Sequence, residues 1–305
     1  MKRWFIAAFL LTVFVPTTVI FAMTSTNYGI LWDSVNSGGE DTSSSTNFRI
    51  RDTLGEMASG MSESANYQIS AGYRAGDSQD SYLSLTVGTQ ENQTKIVWTA
   101  FSNAGKTVDV LSAASFSTGT YIGVVENIGF SQLTAFGKIV SVSGLVITVD
   151  AWQGEPASIS ASPAGANDFA YRVNGGQATL GAQLPGQEST SLTLTDVVSN
   201  IEVGYTVSVQ SDGNLRVNDG MFIKNVTDGA VTVNSEEYGG ETVGSFATST
   251  GSDFSFTSTT ARDIQKSTTF GDHDRSGVVY KLAVTQATPS GNYSQVLYYR
   301  LTANY

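Results

Sequence analysis

Beyond residue 80 the chain is a succession of short runs in which β-branched and aromatic side chains alternate with Ser, Thr and Asn, each run cut off by a Gly-containing turn. Strand side chains repeat every two residues and helix side chains every 3.6, so this patterning commits the chain to sheets. Residues 121–125, 137–142 and 145–149 read as consecutive strands. The last two are joined through Ser143-Gly144, a two-residue loop of the kind tight hairpins favour. Residues 169–173, 191–194, 205–209, 279–284 and 293–305 continue the series. Turns are marked by Asn174-Gly175, Asp212-Gly213, Asp219-Gly220 and Asp228-Gly229, each pairing a residue that tolerates positive φ with Gly. Many short strands at regular spacing predict a β-sandwich. The expected fold class is all-β: short N-terminal β repeats, a small β-barrel-like module and a C-terminal Ig-like β-sandwich.

The region before residue 80 repeats itself. Ser25-Thr26-Asn27-Tyr28-Gly29-Ile30 recurs as Ser45-Thr46-Asn47-Phe48-Arg49-Ile50 and as Ser64-Ala65-Asn66-Tyr67-Gln68-Ile69, offset by 20 and then 19 residues. Each copy sets an aromatic two residues before an aliphatic, the mark of one strand face. A unit this short cannot bury its own apolar face, so copies are expected to stack or pair as a spacer. Ahead of the repeats, Lys2 and Arg3 precede an apolar run that closes on Ile20-Phe21-Ala22 before Met23, the layout of an export signal, with a retained membrane anchor as its alternative. The expected organisation is a signal peptide or anchor over 1–23, repeats over 24–78, a small β module over 79–154 and a sandwich over 155–305. Asp77-Ser78-Gln79-Asp80 serves as a linker, Glu155-Pro156 opens the last section, and Trp98 and Trp152 are packing anchors of the middle one.

Composition narrows the chemistry. Only 14% of the 305 residues are charged, against about 25% in an average soluble protein. The net charge of −11 with 16 Lys and Arg opposes nucleic-acid binding, which needs cations facing phosphates. The absence of Cys removes disulfides, thiolate nucleophiles and Cys-ligated metals, and the single His273 removes any multi-His metal site.

Two stretches of the C-terminal section carry a resemblance. Gly204-Tyr205-Thr206-Val207-Ser208-Val209 and Thr288-Pro289-Ser290-Gly291-Asn292-Tyr293, leading into Tyr299-Arg300-Leu301, resemble the signature regions of WxL-type bacterial surface domains. Where that family carries Trp-x-Leu, this chain has Tyr205-Thr206-Val207 and Tyr299-Arg300-Leu301. The final strand is also similar to spore-coat and fimbrial subunit strands. The Ser-x-Asn-Tyr repeats ahead of a sandwich resemble uncharacterised exported proteins of Patescibacteria-like bacteria. The resemblance implies a WxL-like sandwich at the cell surface with non-covalent attachment.

Three local patterns bear on chemistry. Asp272-His273-Asp274-Arg275-Ser276-Gly277 sets oxygen side chains at alternate positions before a Gly, the opening of a calcium loop. It makes Asp272, Asp274 and Ser276 the candidate metal ligands. The closing Glu of such a loop would fall at Ala283, and an acidic loop between strands is the commoner origin of such a string. Glu236, Glu237 and Glu241 form a second acidic cluster, but adjacent residues of a strand point to opposite faces, which opposes a glycosidase pair. A Ser-His-Asp hydrolase would have to use His273, and no Gly-x-Ser-x-Gly elbow or phosphate-binding loop accompanies it. Alternation of Leu297, Tyr299, Leu301, Ala303 and Tyr305, ending on an aromatic, matches an outer-membrane barrel strand, an option the Gly- and Ser-broken runs elsewhere oppose.

The function expected is an exported, non-catalytic cell-surface structural or adhesive protein that assembles through its β modules, without a cofactor unless calcium. Its partners would be further copies or other envelope components. The alternative is a cell-wall or glycan-binding module using exposed aromatics. Membrane contact is expected only through an uncleaved N-terminal segment.

Overall fold

The computed structural model of the protein describes strand residues 43–44, 49–50, 60–63 and 68–71, and then residues 81–163, 165–218 and 220–304. The signal segment, the first repeat copy and the linker at 77–80 lie outside the described residues. Contacts divide the chain into two units, Met1–Asp80 and Ser81–Tyr305. The fold is all-β.

In the first unit, β1 (Ser43–Ser44) pairs antiparallel with β2 (Arg49–Ile50), and β3 (Gly60–Glu63) with β4 (Gln68–Ala71). Ser43 faces Ile50 and Ser44 faces Arg49; nineteen residues on, Ser62 faces Ile69 and Glu63 faces Gln68. The sequence repeat is therefore a repeat of one hairpin register, with a Ser-x-Asn-aromatic tetrapeptide between the paired strands in both copies.

The second unit opens with β5 (Leu83–Gln90), β6 (Ile96–Ser102), β7 (Thr107–Val110) and β8 (Tyr121–Glu126). There follow β9 (Leu133–Ser143), β10 (Val146–Val149), β11 (Gln153–Gly154) and β12 (Phe169–Gly175). The rest comprises β13 (Ser189–Ser199), β14 (Tyr205–Ser211), β15 (Arg216–Asn218), β16 (Met221–Phe222), β17 (Glu237–Val243), β18 (Arg262–Ser267), β19 (Gly271–Ala283) and β20 (Leu297–Ala303).

Antiparallel pairing runs from β6 to β7, β10, β9, β8 and β12 and back to β6, a closed ring of six strands. Closure removes the edges that an open sheet would expose. Trp98, Ile122, Val124, Ala135, Ile139 and Ile147 fill the first core, and Phe101 and Trp152 pack against each other there with ring centroids 5.0 Å apart. The indole of Trp98 donates to the Val125 carbonyl at 3.1 Å, so its one polar atom is satisfied inside the core. The loop between β9 and β10 is Gly144-Leu145, one residue later than the sequence suggests, because Val146 pairs with Ser143 and Gly144 takes φ +62 at the first loop position.

A second sheet region orders β5, β13, β19 and β17, and side chains from it meet those of the three-stranded sheet β18-β14-β20 in a second core. On β14 the alternation is regular: Tyr205, Val207 and Val209 are buried while Thr206, Ser208 and Gln210 are half-buried. Strand β13 lies between β5 and β19, with Leu192 and Leu194 in one apolar cluster and Val197 in another, so almost every residue along it is buried.

The division expected between residues 154 and 155 is crossed by backbone pairing. Strand β12 pairs with β6 through Phe169 and Ala170 and with β5 through Val173 and Gly175, so one strand serves the ring and the second sheet region. A 3-10 turn at Asn92–Thr94 separates β5 from β6. Glu91, just before it, binds Arg172 of β12 by side chain at 2.8 Å and by its backbone N–H at 2.9 Å.

At the far side of the three-stranded sheet, Asn304 N–H donates to the Gly204 carbonyl and Asp212 N–H to the Val296 carbonyl. With Val207 facing Leu301 in this register, even-numbered β20 residues bond to β14. The N–H and C=O groups of Leu297, Tyr299, Leu301 and Ala303 therefore point off the sheet, and no described strand pairs with them. The opposite edge, β18, is covered: Lys266 N–H donates to the Phe246 carbonyl and Thr248 N–H to the Ile264 carbonyl.

Candidate functional site

The densest cluster of charge in the described residues lies where the ring meets the second sheet region. Asp196 of β13 and Arg275 of β19 face each other across the β13–β19 ladder, with Arg275 Nε 2.8 Å from Asp196 Oδ2. The guanidinium also grips Asp150, just past β10, through both terminal nitrogens at 2.8 and 2.5 Å. Tyr121 of β8 donates its hydroxyl to Asp196 Oδ2 at 2.8 Å. Gln153 of β11 completes the join, accepting from Arg275 N–H at 2.7 Å and donating to the His273 carbonyl at 3.0 Å. One buried cation thus ties a carboxylate just past a ring strand to one of the second region, with the planar fork for which Arg is suited.

Electrostatics follow from this geometry. Burial by itself would raise the Asp150 carboxyl, but the hydrogen bonds and charge of Arg275, with the N–H groups of Ala151 and Lys138, hold it below the ordinary Asp value. Burial would lower Arg275, and the two carboxylates instead drive it well above its usual value. Burial, reinforced by the Asp196 charge, pushes the Tyr121 hydroxyl well above the ordinary phenol range, so it acts only as a donor to the carboxylate.

His273 lies beside this cluster. It is the extra residue of a β-bulge, since Val197 faces Asp274 and Val198 faces Asp272, and it takes φ +58. Its Nδ1 is 3.2 Å from both Asp196 oxygens, and as Asp196 is an acceptor the nitrogen donates. The side chain is 44% exposed. A triad His is held by a buried carboxylate, and Asp196 stands in that place beside His273; among the described residues no serine hydroxyl is hydrogen-bonded to the imidazole.

The three residues singled out for calcium do not lie in a turn. Asp272, Asp274 and Ser276 belong to the 13-residue strand β19, and the bulge at His273 separates the first two. Asp272 is exposed, Asp274 accepts the Tyr205 hydroxyl at 2.8 Å, and Ser276 is 2% exposed. Burial raises the Asp274 carboxyl, with the charges of Asp196 and Asp272 adding to it against the Tyr205 hydrogen bond. Among the described residues no group of three or more His, Asp or Glu side chains is placed to hold a metal ion.

The acidic cluster around Tyr238 disperses. Glu236 accepts from the Thr288 hydroxyl and Glu237 from Thr232, whereas Glu241 turns inward to Lys281. Lys281 Nζ lies 2.7 Å from Glu241 and 2.8 Å from Asp253. A small cavity of about 170 Å³ opens beside it, lined in part by Gln132, Glu155, Glu241 and Lys281. Burial, with the nearby Glu241 charge, raises the Glu155 carboxyl.

The two triplets that carry the WxL resemblance lie side by side. Tyr205-Thr206-Val207 is on β14 and Tyr299-Arg300-Leu301 on β20, with Val207 facing Leu301. Tyr205 is buried among Asp274 and Gln265, and the Tyr299 hydroxyl meets that of Tyr280. Leu297, Tyr299 and Leu301 pack on the second core, so their alternation serves that core. Among the described residues no helix is long and apolar enough to cross a membrane.

Asp150, Asp196, Asp253 and Lys281 were not singled out in the sequence. A signal was present: Asp196 in Leu-Thr-Asp-Val-Val and Lys281 in Val-Tyr-Lys-Leu-Ala are lone charges inside strand runs of a sparsely charged chain. Such a charge has to be paired or turned outward. No protein-family model, no curated protein and no solved structure matches the chain.

Proposed function

We propose that this chain is an exported, non-catalytic structural or adhesive protein of the cell surface, assembling through its β modules. The observation that carries the reading is the open edge of β20, where the backbone groups of four alternate residues point off the sheet. Such a row is a template for another strand, and soluble proteins ordinarily cover or charge it. The basic and apolar start of the chain supports export, and the likeness to WxL-type surface domains supports the location.

The alternative is a module that binds cell-wall glycan by aromatic stacking. It is favoured by Phe270 and Tyr298, which are 64% and 60% exposed. The deciding experiment examines the secreted chain by electron microscopy and by retention on purified wall polymer. Ordered filaments or lattices without glycan support the structural reading. Dispersed protein that is retained on wall polymer supports the alternative, and turnover of any wall polymer overturns both.

A further inference from the structure

We infer that two copies of this chain join through β20, antiparallel and about a twofold axis at Tyr299, so that two three-stranded sheets become one of six. The inference rests on the assembly reading above and names its contact. Hydrogen bonding across the open edge is confined to residues whose backbone groups point outward, namely Leu297, Tyr299, Leu301 and Ala303. An antiparallel self-pairing must therefore place odd-numbered residues opposite odd-numbered ones as hydrogen-bonded pairs.

Side chains then select among the registers. The outward-facing residues of β20 are Tyr298, Arg300 and Thr302, all exposed. Among the described residues Arg300 has no ion-pair or hydrogen-bond partner for its guanidinium. Centring the axis on Arg300 would set two guanidiniums face to face, and like charges directly opposite are unfavourable. Centring it on Leu301 would put Arg300 opposite the partner's Thr302. With the axis on Tyr299, Tyr298 stands opposite the partner's Arg300 and Arg300 opposite the partner's Tyr298. These are non-hydrogen-bonded pairs, where strands bring side chains closest, and a guanidinium against a phenol ring is an attractive contact. The same register pairs Leu297 with the partner's Leu301 along the backbone. It gives partners to an edge that no described strand pairs, and an aromatic face to both Arg300 guanidiniums.

The test is a charge exchange in the full chain, read by sedimentation equilibrium. Arg300→Glu removes the cation, and Tyr298→Arg sets Arg against Arg; each is expected to weaken dimerisation at least tenfold. The double variant Tyr298→Arg/Arg300→Glu places Arg opposite Glu at both positions and is expected to restore it. That restoration also shows that the single variants had not simply unfolded. Self-association that is indifferent to all three variants overturns the β20 pairing and leaves the assembly reading standing. A parent chain that stays monomeric at every concentration overturns both.

Discussion

Arg275 Nε sits 2.8 Å from Asp196 Oδ2 with neither side chain more than 2% exposed, and the far side of the same guanidinium holds Asp150. The six-strand ring and the second sheet region are thus joined by one cation between two anions. Removing one member of a buried pair leaves the others without compensation, a loss of about 3–5 kcal/mol. Arg275→Met is expected to destabilise the chain by about that amount in urea unfolding. A loss under about 1 kcal/mol, the range of an exposed pair, would show that the bridge does not couple the cores.

The carboxyls near this join and the Glu155 carboxyl beside Lys281 titrate in opposite senses. Arg275 outweighs burial and holds Asp150 below its ordinary value. Its contribution is therefore complete above the unfolded Asp value of about 3.9 and is lost as pH falls through the folded value. Burial raises Asp274 and Glu155. Their contributions are complete below the unfolded values of about 3.9 and 4.3 and are lost as pH rises through the folded ones. Comparing unfolding free energies across pH, the parent is expected to gain on Glu155→Gln as pH falls from neutral toward 4, and to lose ground to Asp150→Asn below that. A Glu155→Gln curve parallel to the parent's rules out a raised carboxyl at that position.

Gly277 is required by packing. A Cβ there would lie 2.9 Å from each of Leu192, Phe136 and Val243, side chains from three different strands. Overpacking of a filled interior costs about 1–3 kcal/mol. Gly277→Ala is expected to lower stability within that range, whereas Gly176→Ala, with nothing within 4 Å of the added carbon, is expected to change it little. Equal melting temperatures for the two variants would contradict the packing account.

Local patterning made the strands legible, because a two-residue period needs only neighbours. The runs at 121–125, 169–173 and 205–209 fall inside β8, β12 and β14. The sequence could not show that β12 pairs with both β6 and β5, since that depends on contacts more than 70 residues apart. Hence a boundary was expected at residue 154, where the chain merely leaves the ring before returning to close it. The same limit hid the site: Asp150 and Asp196 acquire meaning only through Arg275, which the motif around His273 presented as part of a turn. Asn174-Gly175 illustrates the converse. It looks like a turn, yet β12 runs through it, and the Asn174 side chain accepts the Tyr121 N–H at 2.7 Å.

Calcium gives a direct test of the β19 geometry. Coordination by Asp272, Asp274 and Ser276 would require Asp274 to release the Tyr205 hydroxyl and the buried Ser276 to reach solvent. Calcium takes six to eight oxygens in a flexible loop, which a strand laddered onto β13 from Gly271 to Leu282 does not offer. The melting temperature of the full chain is expected to be the same in millimolar calcium as in chelator. A calcium-dependent rise that disappears in Asp272→Ala would restore the three residues as ligands.

Lys281 poses the same question as Arg275 in a setting where the answer can be taken apart. Its ammonium is 7% exposed and lies between Glu241 and Asp253, themselves 21% and 5% exposed. Burial favours the neutral amine, but the two carboxylates hold it charged and raise its pKa. Lys281→Met strands two carboxylates and is expected to cost about 3–5 kcal/mol. Adding Glu241→Gln and Asp253→Asn removes the stranded charges while keeping side chains of similar size. Because replacing a whole buried ionic group by neutral residues is often close to neutral, the triple variant is expected to recover most of that loss. The difference between the two separates the penalty of an unpaired charge from the net worth of the cluster. If the triple variant is no more stable than Lys281→Met alone, the stranded carboxylates are not what destabilises the single variant.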